Sequence, residues 1–293
     1  MLRWRLLLGA GLIAAMAGIM VLDHRAATPG IWLLALALVA GLGGAMEVVS
    51  LLAADGYRPR AEVIYGGTLL VIASNVVPLL WRQVGEDHAL ERLAWPLLAF
   101  MLVVLTAFLG EMRRYERPGG VMVNVALAIF GVAYVGLLLS FCAQLRLLGG
   151  PTDGLIALAA LVIVVKMGDT GAYTVGRLFG RHKMAPVLSP GKTWEGLAGG
   201  LAFALIGAWM AFHLLPSRMG HTLGQASWSW LLFGALVGVT GILGDLAESL
   251  FKRDIGRKDS STWLPGFGGI LDVLDSILFA APVAYLCWYA GSL

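Results

Sequence analysis

The chain of 293 residues is 59% hydrophobic and only 13% charged, with a mean hydropathy of +0.82. Soluble domains carry about 25% charged residues, so this composition excludes a water-soluble protein and predicts an integral membrane protein. The net charge of +3 gives no reason to expect nucleic-acid binding. The two cysteines and five histidines show no spacing typical of disulfides or metal sites.

Nine apolar windows follow one another along the chain, each close to the roughly 20 residues that a membrane-spanning helix needs. They cover residues 4–22, 31–53, 63–81, 93–110, 121–141, 154–172, 197–215, 228–250 and 271–290. The first window is interpreted as a span rather than a cleaved signal peptide, because its apolar run continues to Leu22. The sixth is the weakest, because Lys166 and Asp169 interrupt it. The pattern predicts an all-α, polytopic bundle of about nine transmembrane helices.

The basic residues predict the orientation of this bundle. Fifteen Lys and Arg residues fall on the side of the N-terminus, five fall on the other side, and Lys166 lies within a span. By the positive-inside rule, we expect a cytoplasmic N-terminus and a C-terminus on the opposite side. Two long connections, about 173–196 and 251–270, are then cytoplasmic.

The first half of the chain differs in character from the second. Residues 1–150 predict an N-terminal transmembrane bundle, and residues 151–293 carry most of the unusual polar residues. Glu47 is an exception, because it lies inside the second predicted span. We interpret it as a helix-end or interhelical hydrogen-bonding residue in preference to a functional one.

A polar constellation runs from Gly244 to Ser276. On a helix, four residues spaced i, i+3, i+4 and i+7 project from one face: Asp245, Glu248, Ser249 and Lys252. A charge near the middle of a bilayer costs roughly 2.5–3.5 kcal/mol on insertion scales, so such a face predicts a functional site. The alternative is a helix end that reaches the solvated interface.

Asp272 follows Asp245 by 27 residues and opens the next apolar window, with Asp275 close behind. If the two helices pack side by side, the two carboxylates meet at one depth. Oxygen ligands in a partly dry site suit a hard divalent cation such as Mg²⁺. Cations and glycines that suit a polyphosphate stand nearby, namely Lys252, Arg253, Arg257, Lys258, Gly266, Gly268 and Gly269.

A second polar block covers residues 166–196. Asp169 and Tyr173 share a helical face, and Lys183, Lys192 and Glu195 follow them. Taken alone, this block is equally well explained as a basic cytoplasmic loop that contacts anionic lipid headgroups.

Together these blocks resemble the phosphatidate cytidylyltransferase family, also called CDP-diacylglycerol synthases. The stretches 169-DTGAY-173 and 189-SPGKTWEG-196 are typical of that family. Its C-terminal signature is matched by Ser249, Lys252, Arg253, Lys258, Asp259, Ser260, Pro265, Gly266, Gly268, Gly269, Asp272 and Asp275. The resemblance is firm over about residues 165–280.

The resemblance implies that CTP and phosphatidate react to give CDP-diacylglycerol and pyrophosphate. It also implies Mg²⁺, an additional monovalent cation such as K⁺, a homodimer, and a multi-pass protein of the inner cell membrane whose active site faces the cytoplasm. Metal ligands map onto Asp245 and Asp272. Asp275, Lys252 and Arg253 complete the implied catalytic set, and the implied substrate-binding residues are Ser249, Lys258, Asp259, Ser260, Lys192, Asp169, Tyr173, Gly268 and Gly269.

Two positions depart from the family pattern. Phe267 stands where the family has histidine, and Val273 stands where it has arginine. Three explanations stay open: another cation such as Arg257 substitutes, the substrate is a different lipid phosphate, or catalysis is weakened. A transporter is a further alternative, although its polar residues usually meet at mid-membrane between repeated halves.

Overall fold

The computed structural model describes residues 2–80, 89–223, 228–263 and 268–291. Within these ranges the helices are α1 (Leu2–His24), α2 (Ile31–Ala54), α3 (Ala61–Ala73), α4 (Val76–Leu80), α5 (Ala89–Arg114), α6 (Val121–Val132), α7 (Leu138–Arg146), α8 (Gly150–Phe179), α9 (Trp194–Arg218), α10 (Ser229–Asp254) and α11 (Ile270–Gly291). A π-helical turn, Ala133–Leu137, joins α6 to α7.

Eight helical segments of the described chain are long and apolar enough to cross a membrane, with α3–α4 and α6–α7 each forming one segment. In α1 the stretch Gly9–His24 is a shorter apolar helix. Each predicted window coincides with one of these nine segments, and most ends differ by only a few residues. The prediction of a polytopic helical membrane protein is confirmed, while the orientation of its termini stays a prediction.

The chain divides into two compact units. The first unit comprises Met1–Gln144 and Ile255–Val273, and the second comprises Leu145–Asp254 and Leu274–Leu293. The loop that carries the C-terminal signature therefore belongs with the N-terminal helices. The predicted boundary near residue 150 is drawn from motif content, and it stays a prediction.

The first unit is a helix bundle with small residues at its contacts. Val71, Val103 and Val132 are buried together with Ala99. A side chain at Gly67 would meet Val103 and Val132, so the absence of a Cβ lets these helices approach closely.

The second unit is built around α8 and α9, which also pack through glycines. A Cβ at Gly171 would collide with Phe203, and one at Gly199 would collide with Val175. Helix α10 in turn lies against α11, because a Cβ at Gly244 would meet the backbone of Ser276 at 3.1 Å. Glycine at these positions therefore sets the spacing of the helices that carry the acidic residues.

A short antiparallel hairpin connects α8 to α9. Strands β1 (Lys183–Ala185) and β2 (Ser189–Thr193) pair Lys183 with Thr193. Thr193 then caps α9, since its Oγ1 accepts a hydrogen bond from the Gly196 N–H at 3.1 Å. The hairpin was not predicted, because both strands are short and β2 contains proline and glycine.

Candidate active site

The predicted site residues fall in both units. Asp272, Ser260, Gly268 and Gly269 belong to the first unit. Asp245, Asp275, Asp169 and the basic residues at 192, 252 and 253 belong to the second. The predicted convergence of Asp245 and Asp272 on one cation therefore joins two units, and it stays a prediction.

Asp272 lies in the first turn of α11 and closes that turn with its own side chain. Its Oδ2 accepts hydrogen bonds from the Gly269 N–H at 2.7 Å, from the Ser260 N–H at 2.9 Å and from the Ser260 Oγ at 2.6 Å. Gly269 directly precedes the helix, so the third helical residue reaches back to the capping residue. The carboxylate is thus oriented by three donors, at the end of the helix dipole that attracts negative charge.

Glu47 of α2 contacts the same helix end and the same loop. Its Oε1 accepts from the Ser261 Oγ at 2.6 Å and from the Ile270 N–H at 2.8 Å. Its Oε2 accepts from the Ser260 Oγ at 2.9 Å and from the Leu271 N–H at 2.8 Å. The interpretation of Glu47 as an interhelical hydrogen-bonding residue is confirmed, but its partners are the signature loop itself.

Two of the three signature glycines, Gly268 and Gly269, are required by this close packing, and Gly266 lies outside the described residues. Gly268 has φ of +91°, a left-handed conformation that glycine adopts readily and other residues rarely do. Gly269 is buried where an added Cβ would collide with the Ser260 Oγ and with both carboxylate oxygens of Glu47. Their role here is to admit carboxylates close to the backbone.

We expect Gly269→Ala to destabilise the protein by roughly 1–3 kcal/mol, because the methyl group overpacks a filled site. The midpoint of thermal unfolding in detergent should fall accordingly. Gly66→Ala is the matched control, since nothing lies within 4 Å of a Cβ at that helical glycine. Equal midpoints for the two variants would contradict the described packing.

The second unit gathers acids and lysines in what we call the acid–lysine cluster, namely Asp169, Asp245, Asp275, Lys166 and Lys192. Lys192 Nζ lies 3.0 Å from Asp245 Oδ2, and Lys166 Nζ lies 3.2 Å from Asp169 Oδ2. Asp275 is 6% exposed and interacts electrostatically with Asp245, Asp169 and Lys166. Alternating charges of this kind can bind a phosphate through the lysines and a cation through the carboxylates.

The basic residues of α10 are also engaged. Lys252 Nζ lies 2.5 Å from Glu248 Oε2, and both side chains are buried together with Ser249. This confirms that these residues share a face of one helix. Arg253 reaches the hairpin, where its Nε donates to the Leu188 carbonyl oxygen at 3.3 Å.

Several other predicted residues lie on the surface. Tyr173 is exposed on α8, and its hydroxyl accepts a hydrogen bond from Arg177 Nη1 at 2.6 Å. Lys258 and Asp259 are exposed beside buried Ser260. Phe267, where the family has histidine, lies outside the described residues, whereas Val273 is partly buried in α11.

Sequence reasoning assigned no site role to Lys166 or Glu47, and it treated Lys166 only as an interruption of a span. The signal that could have found both is the same: an ionisable residue inside a transmembrane helix predicts a functional site with a nearby partner.

The donor chemistry of the site fits Mg²⁺. Carboxylate oxygens are the ligands that this ion prefers, and it is usually held by one or two carboxylates together with substrate phosphates. Among the described residues, no group of three His, Cys, Asp or Glu side chains is arranged to hold a metal ion. The predicted ligands, Asp272 of the first unit and Asp245 of the second, stay a prediction.

The fold and the site define a class of protein. It is a polytopic helical membrane protein whose second unit pairs carboxylates with lysines, side chains that can bind cations and phosphate groups. The chain belongs to the cytidylyltransferase family, whose family model matches residues 4–290. This confirms the predicted resemblance.

Relatives with established names agree with this assignment. The chain is 31% identical to a phosphatidate cytidylyltransferase of Mycobacterium bovis over 277 residues, which cover 85% of this chain and 86% of the relative. It is 36% identical to the protein of the same name from Mycobacterium leprae, over 73% of this chain and 60% of the relative. It is 37% identical to the phosphatidate cytidylyltransferase of Staphylococcus haemolyticus, over 64% of this chain and 66% of the relative.

Proposed function

We propose that this protein transfers CMP from CTP to phosphatidate, giving CDP-diacylglycerol and pyrophosphate. The observation that carries the proposal is the family match over residues 4–290, with relatives that bear the name phosphatidate cytidylyltransferase. The acids and lysines described above supply the chemical groups that such a reaction needs.

The reaction is a displacement at the α-phosphorus of CTP. An oxygen of the phosphatidate phosphate forms a new bond to that phosphorus, the bond to the β-phosphate oxygen breaks, and its electron pair leaves with pyrophosphate. A phosphate monoester is largely ionised near pH 7, so no residue needs to remove a proton from it. The chemical difficulty is instead the approach of two anions.

The residues of the chain therefore act by neutralising charge and by alignment. Lys192, Lys252, Arg253 and Lys258 neutralise phosphate oxygens of CTP or phosphatidate in this proposal. Asp272 is presented at the start of α11 in an orientation set by Ser260 and Gly269. Mg²⁺, when bound by Asp245 and Asp272, supplies Lewis-acid stabilisation of the charge that develops on the phosphate oxygens.

The remaining residues have supporting roles in the proposal. Asp275 adds a third carboxylate to the acid–lysine cluster. The substrate-binding set is Ser249, Asp259, Ser260, Asp169, Tyr173, Gly268 and Gly269. The protein spans the membrane several times. We further propose the inner cell membrane, a site that faces the cytoplasm where CTP is made, a homodimer, and K⁺ as a second cation.

The test uses the full chain in lipid nanodiscs with labelled CTP, Mg²⁺ and one lipid at a time. We expect CDP-diacylglycerol and pyrophosphate in equal amounts with phosphatidate. Diacylglycerol should give no product, because it lacks the attacking phosphate. Absence of product with phosphatidate at saturating Mg²⁺ would contradict the proposal.

A related transferase that uses another lipid phosphate is the second candidate, and Phe267 and Val273 motivate it. A preference for a polyprenyl phosphate over phosphatidate would establish it. If Phe267→His with Val273→Arg raises turnover of phosphatidate, the native chain is a weakened enzyme for that substrate. Solute flux in proteoliposomes without any turnover would support a transporter instead.

A further inference from the structure

We propose that Glu47 is a positioning residue for this reaction: through Ser260 and the first turn of α11, it holds the Asp272 carboxylate in its working orientation. The inference rests on the proposed role of Asp272 in catalysis. It concerns a residue of α2 that is more than 200 positions from its partners in the chain.

The contacts of Glu47 are complete for a buried carboxylate. The side chain is 1% exposed, and each of its two oxygens lies 2.6–2.9 Å from one serine hydroxyl and one backbone N–H, although Oε2 shares the single proton of the Ser260 hydroxyl with Asp272. Burying an ionised carboxylate in an apolar bundle is costly unless it is fully hydrogen-bonded. The arrangement therefore persists only while the loop and the helix end stay in place, which makes Glu47 an anchor for both.

The start of α11 needs such an anchor. The first N–H groups of a helix have no intrahelical acceptor. Asp272 satisfies the N–H of Gly269, and Glu47 satisfies those of Ile270 and Leu271. The two carboxylates thus divide the task, and loss of Glu47 would leave N–H groups of Ile270 and Leu271 competing for Asp272.

Ser260 connects the two carboxylates directly. Its Oγ lies 2.9 Å from Glu47 Oε2 and 2.6 Å from Asp272 Oδ2. A hydroxyl carries one proton, so Ser260 can donate to only one of them at a time. Glu47 therefore gives the hydroxyl a second acceptor on α2, which keeps Ser260, and with it the Asp272 carboxylate that Ser260 contacts, in position.

A purely structural helix cap would lack this connection. Asp23 is such a cap: it is also buried and accepts the N–H groups of Gly30, Trp32 and Leu33 at the start of α2. No residue of the proposed site is among those donors. Asp23 therefore only stabilises the start of a helix, whereas Glu47 in this proposal also orients the side chain of Asp272.

The test is Glu47→Gln in the full chain, reconstituted in nanodiscs. The amide has the size of the carboxylate, but its NH₂ group must face a backbone N–H that has lost its acceptor. We expect kcat with CTP and phosphatidate to fall about 10–100-fold, the range typical of residues that orient a ligand group. KM for CTP should change less than about threefold, since Glu47 contacts neither substrate in this proposal.

A second measurement tests whether Glu47 anchors the start of α11 and does not depend on activity. Hydrogen–deuterium exchange at Ile270 or Leu271 should be faster in Glu47→Gln, because the amide that faces the new NH₂ group loses its buried acceptor. Glu111→Gln is the matched control, since it changes another buried glutamate of the first unit outside the proposed site. Glu111→Gln should leave both the exchange at these amides and kcat near their native values.

Each outcome decides a different point. If hydrogen–deuterium exchange at Ile270 and Leu271 is unchanged in Glu47→Gln, Glu47 does not anchor the start of α11. If exchange is faster but kcat is native, Glu47 is only a structural helix cap. A raised KM with native kcat would indicate a substrate contact and also overturns the proposal. If the native protein makes no product, the proposed function fails, whereas the exchange experiment still reports whether Glu47 holds the helix end.

Discussion

Asp272→Asn is expected to abolish CDP-diacylglycerol formation while the protein keeps nearly its native stability. The amide carbonyl oxygen can take the place of Oδ2 and accept the hydrogen bonds of Gly269 and Ser260. The helix cap is thereby retained, and the negative charge that would hold Mg²⁺ is lost. Lewis-acid stabilisation is worth several kcal/mol, so kcat should fall by about 10³-fold or more.

Asp23→Asn is the control for this substitution, since it makes the same change in a second aspartate of the first unit that caps a helix with its side chain. It should leave kcat near its native value. Turnover and the midpoint of thermal unfolding are measured for both variants at saturating Mg²⁺. An active Asp272→Asn enzyme would show that Asp272 serves only as a cap, and the metal role assigned to it would be wrong.

Lys192→Met should chiefly weaken the use of CTP. Lys192 belongs to the strand that leads into α9, and its ammonium group balances Asp245 across 3.0 Å. A charge-assisted contact to phosphate is worth roughly 1.5–3 kcal/mol, so kcat/KM for CTP should fall about 10–150-fold. Most of the change should lie in KM, because the same phosphates are charged before and during the reaction.

Lys183→Met removes an exposed lysine from the other strand of the same hairpin. It should leave kcat/KM near its native value, and a steady-state titration of CTP compares the two variants. An equal loss in both would mean that the hairpin attracts CTP through its overall charge. If Lys192→Met has the native kcat/KM for CTP, Lys192 does not belong to the site.

The membrane class and the helix positions were predictable because they depend on local composition. A run of about 20 apolar residues has no stable place in water, whatever its neighbours are. The same local rules predict the extent of α11, Ile270–Gly291, to within a residue. They also place Asp245, Glu248 and Lys252 on one helix. The family resemblance was likewise readable from short contiguous motifs, and the match over residues 4–290 confirms it.

The hydrogen-bond and ion-pair partners of the ionisable residues could not be predicted from local sequence. Glu47 lies within an ordinary apolar helix, and nothing near it in the chain indicates Ser260 or the start of α11. The pairing of Lys192 with Asp245 likewise joins a strand to a helix that is 53 positions away. These contacts depend on how helices pack, which small residues such as Gly244 and Gly269 control through the space that they leave.

The sequence by itself determined that this protein lies in the membrane, where its helices run, and which acids and bases belong to the family signature. Local hydrophobicity and contiguous motifs are sufficient for each of these. Only the tertiary structure decided that Glu47 and Asp272 share the N-terminus of α11 and one serine hydroxyl. Buried charges need partners wherever the fold supplies them, and in this protein the fold supplies them from distant parts of the chain.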